Sequence, residues 1–423
     1  MRSARACYGV VILACVCVFV RRARRTRVGV PGVSRPQSVA RVSPRPRFMS
    51  PSVVARRVVL VARRAAPMTR TRDPATTRAS ASRRIAGVRE LATTHDVFLL
   101  DQFGVLHDGR EAYADAVTCV RELKRLGKEV YVLSNSSRRR DGTIARLEGM
   151  GFDGDAFAGA TTSGETTARF LEREASSLST TSREIGKGEC FDRLRNIIRE
   201  ARVGGRKPAF AHATWDARGA VALGETVSEA YEIIPPPFTA TTMDAVDFVL
   251  AHGMEAFGRG DGAAPTPASV EDLRALARAA AARKIPLCVA NPDVETVSGS
   301  ELIAMPGALA MWYAEAFAEA HPGEDASGHV CEMGKPDAVA YDALLGEFGV
   351  DAGGKIVAVG DSLAHDIAGG ERAGLDTVFV CGTGIHVDDV RRAKESEDED
   401  EALRRLYAAR GATPTYVVEK LRW

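Results

Sequence analysis

Two kinds of apolar pattern alternate along the chain from about residue 97 onward. One is a short, nearly unbroken run: Val97-Phe98-Leu99-Leu100, Glu129–Leu133, Phe157–Thr162, Ile356-Val357-Ala358-Val359 and Thr377–Cys381. Runs without period-two alternation read as strands buried on both faces, as in a parallel sheet. The other has helical spacing. Ala116, Val117, Val120, Leu123 and Leu126 recur through Ala112–Leu126, and Gly127 follows as a helix stop. Further helices are predicted near Asp141–Met150, over Gly307–Glu319, after Gly334-Lys335-Pro336-Asp337 and through Ala373-Gly374. Strand and helix in this rhythm imply βαβ units, hence an α/β fold with a parallel sheet and helices on both faces.

The rhythm is interrupted near residue 178. Phe248-Val249-Leu250 and Leu287-Cys288-Val289-Ala290 read as strands with an Ala/Arg-rich helix, Val270–Arg283, between them. Pro235-Pro236-Pro237 and the Gly/Pro-rich run 258–268 are loops. Residues 178–300 are therefore expected to form an inserted smaller α/β domain, dividing the main domain into 83–177 and 301–423. The acidic run Glu395–Glu401 reads as the start of a polar helix with a solvated face. No internal repeat or heptad pattern is present.

Charge separates off one more piece. Residues 1–72 hold 17 Arg and no Asp or Glu, which leaves 40 of the 57 basic residues to face all 55 acidic ones, a balance of −15 in the remainder. An acidic body argues against nucleic acid as a partner. The Arg-, Ser- and Pro-rich segment 1–82 has the composition of a transit peptide for chloroplast or mitochondrion. The apolar stretch Val10–Val20 is too short for a membrane span, so no stable membrane insertion of the mature protein is expected. A secretory or anchor segment, or a true start at Met49 or Met68, are the alternatives, and a start at Met68 would give a cytoplasmic protein. Eight Cys occur without a C-x-x-C pair, three of them (Cys7, Cys15, Cys17) in the basic segment. That pattern suits reduced thiols better than a zinc or disulfide framework.

Polar residues at the ends of the apolar runs carry the chemistry. Asp101 follows Val97–Leu100, Ser134-Asn135 follows Glu129–Leu133, Lys335 opens a helix, and Gly360-Asp361-Ser362 with Asp366 follows Ile356–Val359. Each alone is a cap or turn residue. In a parallel sheet, however, all four fall at the carboxyl edge where such folds bind ligands.

The set resembles the haloacid dehalogenase-like hydrolase superfamily. Asp101 matches its first motif, Ser134 its second, Lys335 its third and Gly360-Asp361-Ser362-x-x-x-Asp366 its fourth. The insertion between the second and third motifs, with Ala290-Asn291-Pro292-Asp293 at its end, resembles subclass IIA, the NagD-like and phosphoglycolate phosphatase-like group. The opening Asp-x-Phe-Gly-Val-Leu-His-Asp-Gly is most similar to the branch with Asp-x-aromatic-Gly-Val in the first motif. The resemblance implies a Rossmann-like core, a class IIA cap and phosphatase chemistry on a small phosphorylated metabolite. Asp101 is then the nucleophile. Mg²⁺ is held by Asp101, Asp361 and the backbone carbonyl of Phe103, and Asp366 supports the metal from behind these ligands. Ser134 and Asn135 hold phosphoryl oxygens, Lys335 neutralises charge, and Asn291 and Asp293 face the substrate from the cap. Caps of this subclass often pair, which implies a homodimer through the cap.

One position departs from the phosphatase pattern. Hydrolytic members carry a second Asp, the general acid and base, two residues after the nucleophile; here Phe103 stands there. Three accounts follow. Another group serves, with His107, Asp108 and Asp293 as candidates. Alternatively, the leaving group is good enough to need no acid. Or the protein binds a phosphorylated ligand with little turnover. Trp215, Trp312 and Trp423 read as packing residues.

Overall fold

A computed structural model describes residues 82–176, 185–216, 223–260, 262–298, 301–350, 355–396 and 398–423. The predicted targeting segment 1–82, Ser82 apart, lies outside the described residues.

The main sheet has seven strands, all parallel, in the order Arg83–Arg84, Tyr416–Val418, Asp376–Val380, Ile356–Gly360, Val97–Leu100, Glu129–Ser134, Gly159–Thr162. Val97–Leu100 sits where the order reverses. The chain runs from it outward to Glu129–Ser134 and Gly159–Thr162, and later returns to build the other side from Ile356–Gly360. Such a switch point opens a crevice at the carboxyl ends of its strands. The period of two shows in the packing. Phe98, Leu100, Val130, Val132, Val357 and Val359 face one side, against Ala116, Cys119, Val120 and Leu123 of helix Ala114–Arg125. Val97, Leu99, Tyr131, Leu133, Ile356 and Ala358 face the other, against Ala340, Tyr341 and Leu344 of helix Ala338–Glu347. Both faces are covered, which is why these strands carry no polar alternation.

The predicted helix stop is met in detail. Gly127 takes φ +69, its N–H donates to Lys124 C=O at 2.8 Å, and Lys128 N–H donates to Leu123 C=O at 3.0 Å. This is the paired C-terminal bonding that favours glycine, because the left-handed backbone costs other residues free energy. The acidic run divides. Helix Val387–Ser396 ends within it and helix Glu399–Arg410 begins, with the Asp398 carboxylate accepting the N–H groups of Asp400 and Glu401. Glu399 is not merely solvated, since it pairs with Arg84 at 2.9 Å and Lys394 at 2.7 Å.

A second sheet lies in the insertion, in the order Val330–Glu332, Leu287–Val289, Phe248–Ala251, Ala209–Thr214, Ala256–Phe257, Thr266–Pro267, with Glu232–Ile234 also on Ala209–Thr214. Its membership corrects the expected boundary at residue 300. Leu302 does not resume the main domain: Glu295–Ser298 and Glu301–Ala304 form an antiparallel hairpin. Helix Gly307–Ala320 then buries Leu309, Trp312, Tyr313 and Phe317 in the insertion's own core, beside Leu273 and Leu276 of helix Val270–Ala282. Val330–Glu332 completes the sheet, so the chain returns to the main domain at about Met333. An apolar pattern reports that a helix is buried, not which sheet it covers. The expected start of the insertion at 178 lies outside the described residues. No described helix is long and apolar enough to cross a membrane.

Phe98, with no exposed surface, anchors one face of the main sheet. Phe98→Ala is expected to cost about 3–5 kcal/mol in denaturant unfolding. Val203→Ala, at a helix end that is 84% exposed, is expected to change stability by less than about 0.5 kcal/mol.

Candidate active site

Three adjacent strand ends of the main sheet converge on one ammonium group. Asp101 follows Val97–Leu100 and its N–H donates to Val359 C=O at 3.0 Å, which locks it to the neighbouring strand. Lys335 arrives from the second sheet, three residues after Val330–Glu332. Its Nζ donates to Asp101 Oδ1 at 2.8 Å, Asp366 Oδ1 at 2.6 Å and Leu133 C=O at 2.9 Å. An ammonium has three protons and all three are used. Burial alone would lower the pKa of Lys335, but Asp101 and Asp366 more than reverse that and hold it above its ordinary value. It stays charged at any working pH.

Asp361 stands beside this pair. Its Oδ2 accepts the Ile385 N–H at 2.7 Å, and the loop carrying Ile385 is tied down where Thr383 Oγ1 donates to Gly104 C=O at 2.5 Å. Gly104 (φ +76) and Gly384 (φ +78) close around the carboxylate so tightly that a Cβ on either would strike Asp361. Carboxylate oxygens of Asp101, Asp361 and Asp366 lie within 4.8 Å of one another. Three carboxylates against one ammonium leave two negative charges in a buried space. Burial raises the Asp101 carboxyl to about 7, and burial with Asp101 and Asp366 as neighbours pushes Asp361 well above the usual range. Carboxylates forced together in this way fit a hard divalent cation with oxygen ligands such as Mg²⁺. Asp366 has both oxygens engaged, Oδ1 by Lys335 and Oδ2 by the Ser362 N–H at 3.0 Å. That leaves Asp101 and Asp361 as the side chains to hold the cation, with the Phe103 carbonyl alongside in sequence, and leaves Asp366 the task of fixing Lys335.

The residues expected at the phosphoryl group fall into two sets. Ser134 Oγ accepts the Ser136 N–H at 3.2 Å, which shapes the turn and keeps its own proton available. Asn135 is fully employed. Its Oδ1 accepts Lys335 N–H at 2.8 Å and its Nδ2 donates to Lys335 C=O and Asp293 Oδ1, both at 2.9 Å. Its geometry is that of a clamp joining three segments. Asn291 is likewise a turn residue, with Oδ1 accepting Asp293 N–H at 2.9 Å. Ser137, one turn on, is gripped by the insertion: Trp215 Nε1 donates to its Oγ at 3.0 Å, and His252 Nε2 lies 2.7 Å from its C=O.

Comparisons with known proteins bear on the family and the fold. Residues 98–196 match the family profile of haloacid dehalogenase-like hydrolases, and residues 332–423 match a second such profile. The chain carries the two matched segments of a haloacid dehalogenase-like hydrolase. Its fold is that of two solved members. One is a haloacid dehalogenase-like hydrolase from Brucella suis 1330, 21% identical with a TM-score of 0.53, over 80% of this chain and 99% of that one. The other is described as a possible sugar phosphatase from Cytophaga hutchinsonii ATCC 33406, 19% identical with a TM-score of 0.54, over 80% and 98%. No curated protein matches the chain.

Against the haloacid dehalogenase-like pattern, the segment after Asp101 is rebuilt. Phe103 packs edge-on against the His107 ring, centroids 4.6 Å apart, with the Arg146 guanidinium 5.8 Å from its own centroid. His107 is fully buried, and its Nδ1 accepts the Gly109 N–H at 3.0 Å. Burial, helped by Arg146, lowers its pKa to about 4, so it is neutral at pH 7. The acid/base duty open to His107 from its place in the sequence does not suit a neutral ring sealed inside the flap formed by residues 102–112. Asp108 is a turn former whose Oδ1 accepts the N–H groups of Arg110 and Glu111, both at 2.8 Å. Asp293 does reach the site, and beside it stands a residue the motif spacing left blank. His365 Nδ1 lies 3.3 Å from Asp293 Oδ1 and 3.0 Å from Ser362 Oγ. The signal was present in the sequence: His365 is three residues after Ser362 on the turn that also delivers Asp366.

The carboxyl cluster is expected to make stability depend on pH and on added Mg²⁺. Without a cation, folded Asp101 keeps its proton up to about pH 7, whereas an unfolded Asp releases it near pH 3.9. The folded state thus binds more protons across that window, and stability drops as pH rises through it. In chelator, the wild-type chain is expected to lose melting temperature relative to Asp101→Asn as pH rises from about 4 to about 7. Excess Mg²⁺ is expected to abolish the difference, which thermal unfolding by circular dichroism reads directly.

Proposed function

We propose that this chain is a Mg²⁺-dependent phosphomonoesterase for a small phosphorylated metabolite, working through an aspartyl-phosphate on Asp101. The observation that carries the proposal is the Lys335 ammonium, which donates to Asp101 and Asp366 at once, with Asp361 in the same carboxylate cluster. Nothing in a purely structural role calls for that much buried charge at a switch point.

Each residue has a task. Lys335 fixes the attacking oxygen of Asp101 and opposes charge on the phosphoryl group. The Ser134 hydroxyl and the N–H groups of its turn receive phosphoryl oxygens. Asp101 Oδ bonds to phosphorus as the ester P–O bond breaks, and water then cleaves the Asp101–phosphorus link and restores the carboxylate. Mg²⁺, when bound by Asp101, Asp361 and the Phe103 carbonyl, supplies the positive charge that lets two anions meet. The inserted domain, tied to the site through Ser137, Asn135 and Asp293, excludes water and sets specificity.

A second reading is favoured by Phe103, which can neither give nor take a proton. In it the chain binds a phosphorylated ligand and turns it over poorly. The full chain is expected to hydrolyse p-nitrophenyl phosphate with Mg²⁺ while Asp101→Asn does not. Equal residual rates for the two would sink the phosphatase. Mg²⁺-dependent thermal stabilisation by phosphorylated metabolites without phosphate release would then support the binding protein.

A further inference from the structure

The phosphatase reading leaves a proton unassigned. When the ester P–O bond breaks, the departing oxygen is an alkoxide or phenoxide, and when water attacks the Asp101–phosphorus link it must shed a proton. Asp at position 103 would do both; Phe103 does neither. His107 is sealed in the flap and Asp108 is spent on its turn.

His365 is the residue before Asp366, the carboxylate that Lys335 holds. His365 lies on the π-helical turn Leu363–Ile367, whose bonds run from Asp366 N–H to Ser362 C=O at 2.9 Å and from Ile367 N–H to the same carbonyl at 3.1 Å. Such turns displace a side chain from the helical register and recur at functional sites. Here the turn sends Asp366 inward to Lys335 and leaves His365 beside the insertion. Its Nδ1 is held on two sides, by Asp293 Oδ1 at 3.3 Å and Ser362 Oγ at 3.0 Å. Asp293 is itself clamped by Asn135 at 2.9 Å, and so is fixed to the segment that bonds the Lys335 backbone. A carboxylate beside one ring nitrogen fixes the tautomer and the orientation of the ring, leaving Nε2 as the nitrogen free to exchange a proton.

We propose, building on the phosphatase reading, that His365 is the general acid and base of this chain and that Asp293 is its positioning residue. In the first half-reaction the Asp101 Oδ–P bond forms and the ester P–O bond breaks, and the His365 Nε2 proton passes to the leaving oxygen. In the second, a water oxygen bonds to phosphorus, the Asp101 Oδ–P bond breaks, and the water proton returns to Nε2. The sum is ester plus water giving alcohol plus phosphate, with enzyme and proton count restored. The family's acid has thus moved from the nucleophile's own strand end to the turn after the fourth motif, with its orienting carboxylate supplied by the insertion.

The test compares two esters that differ in how much the leaving group needs a proton. Phenyl phosphate expels a strongly basic phenoxide, and p-nitrophenyl phosphate a stable one. kcat/KM reports phosphoryl transfer to Asp101 alone, so it isolates the acid role. For His365→Ala, and for His365→Gln as a variant of conserved size, kcat/KM on phenyl phosphate is expected to fall about 10²–10⁴-fold. On p-nitrophenyl phosphate it is expected to stay within about tenfold, with a burst of one nitrophenol per active site before a slow steady state. The burst marks an aspartyl-phosphate that lacks its base. Asp293→Asn should shift the ratio in the same direction by less. Equal losses on both esters, no loss on phenyl phosphate, or a wild-type chain active on p-nitrophenyl phosphate but inert on phenyl phosphate overturns the assignment and leaves the phosphatase standing. No phosphate released by the wild type from either ester overturns the phosphatase reading and this proposal with it.

Discussion

Everything at the switch point depends on one buried ammonium that has no proton to spare. Lys335 gives its three N–H bonds to Asp101, Asp366 and the Leu133 carbonyl, and so ties together the ends of three neighbouring strands. A buried cation with all its donors satisfied is acceptable, and one that loses a partner is costly. The constraint propagates outward. Lys335 sits where the chain returns from the insertion, so its placement also fixes the exit of that domain. Asn135 then grips the Lys335 backbone from both sides, through its own oxygen and its own amide. Asp101, the turn after Glu129–Ser134 and the insertion are set by the same residue.

That centre still has an excess of negative charge, and the excess rationalises Phe103. A further carboxylate two residues after Asp101 would join Asp101, Asp361 and Asp366 in a region whose carboxyls burial already drives upward. Phe103 instead packs edge-on against His107 in the flap, with Arg146 over its ring, which adds apolar contact and removes a like charge. Asp101, Asp361, Asp366 and Lys335 stay together, and position 103 carries no ionisable group. Ring, histidine and guanidinium are one packed unit, so restoring Asp at 103 would undo the flap as well as recharge the cluster.

How much of this the sequence announces depends on the range of the interaction. The parallel sheet is legible because burial on both faces erases polar alternation from Val97–Leu100 and Ile356–Gly360, a local consequence of a global arrangement. The four polar strand ends are legible for the same reason, since a carboxylate at the mouth of an apolar run is out of place. The exit of the insertion is not legible. Helix Gly307–Ala320 and strand Val330–Glu332 have the same apolar texture whichever sheet they join, and only three-dimensional pairing assigns them. The roles of Asn135 and Asn291 are hidden likewise. An Asn in a binding loop and an Asn clamping that loop look identical until their partners, 200 residues away for Asn135, are in place.

His365 and Asp293 show the same principle at the level of mechanism. They are separated along the chain, and one stands on the main domain while the other comes from the insertion, yet they meet at 3.3 Å. A general acid oriented by a residue of its own strand is competent whether the site is open or closed. One oriented across the domain boundary is competent only when the insertion is seated. The contacts that seat it are the ones already described: Asp293 on Asn135, with Trp215 and His252 on Ser137. Moving the acid from position 103 to 365 therefore couples proton transfer to closure. The aspartyl-phosphate could form from a reactive ester without that coupling, but its hydrolysis could not. Closure would then govern which step limits turnover, and the insertion would control the timing of the chemistry as well as the choice of substrate.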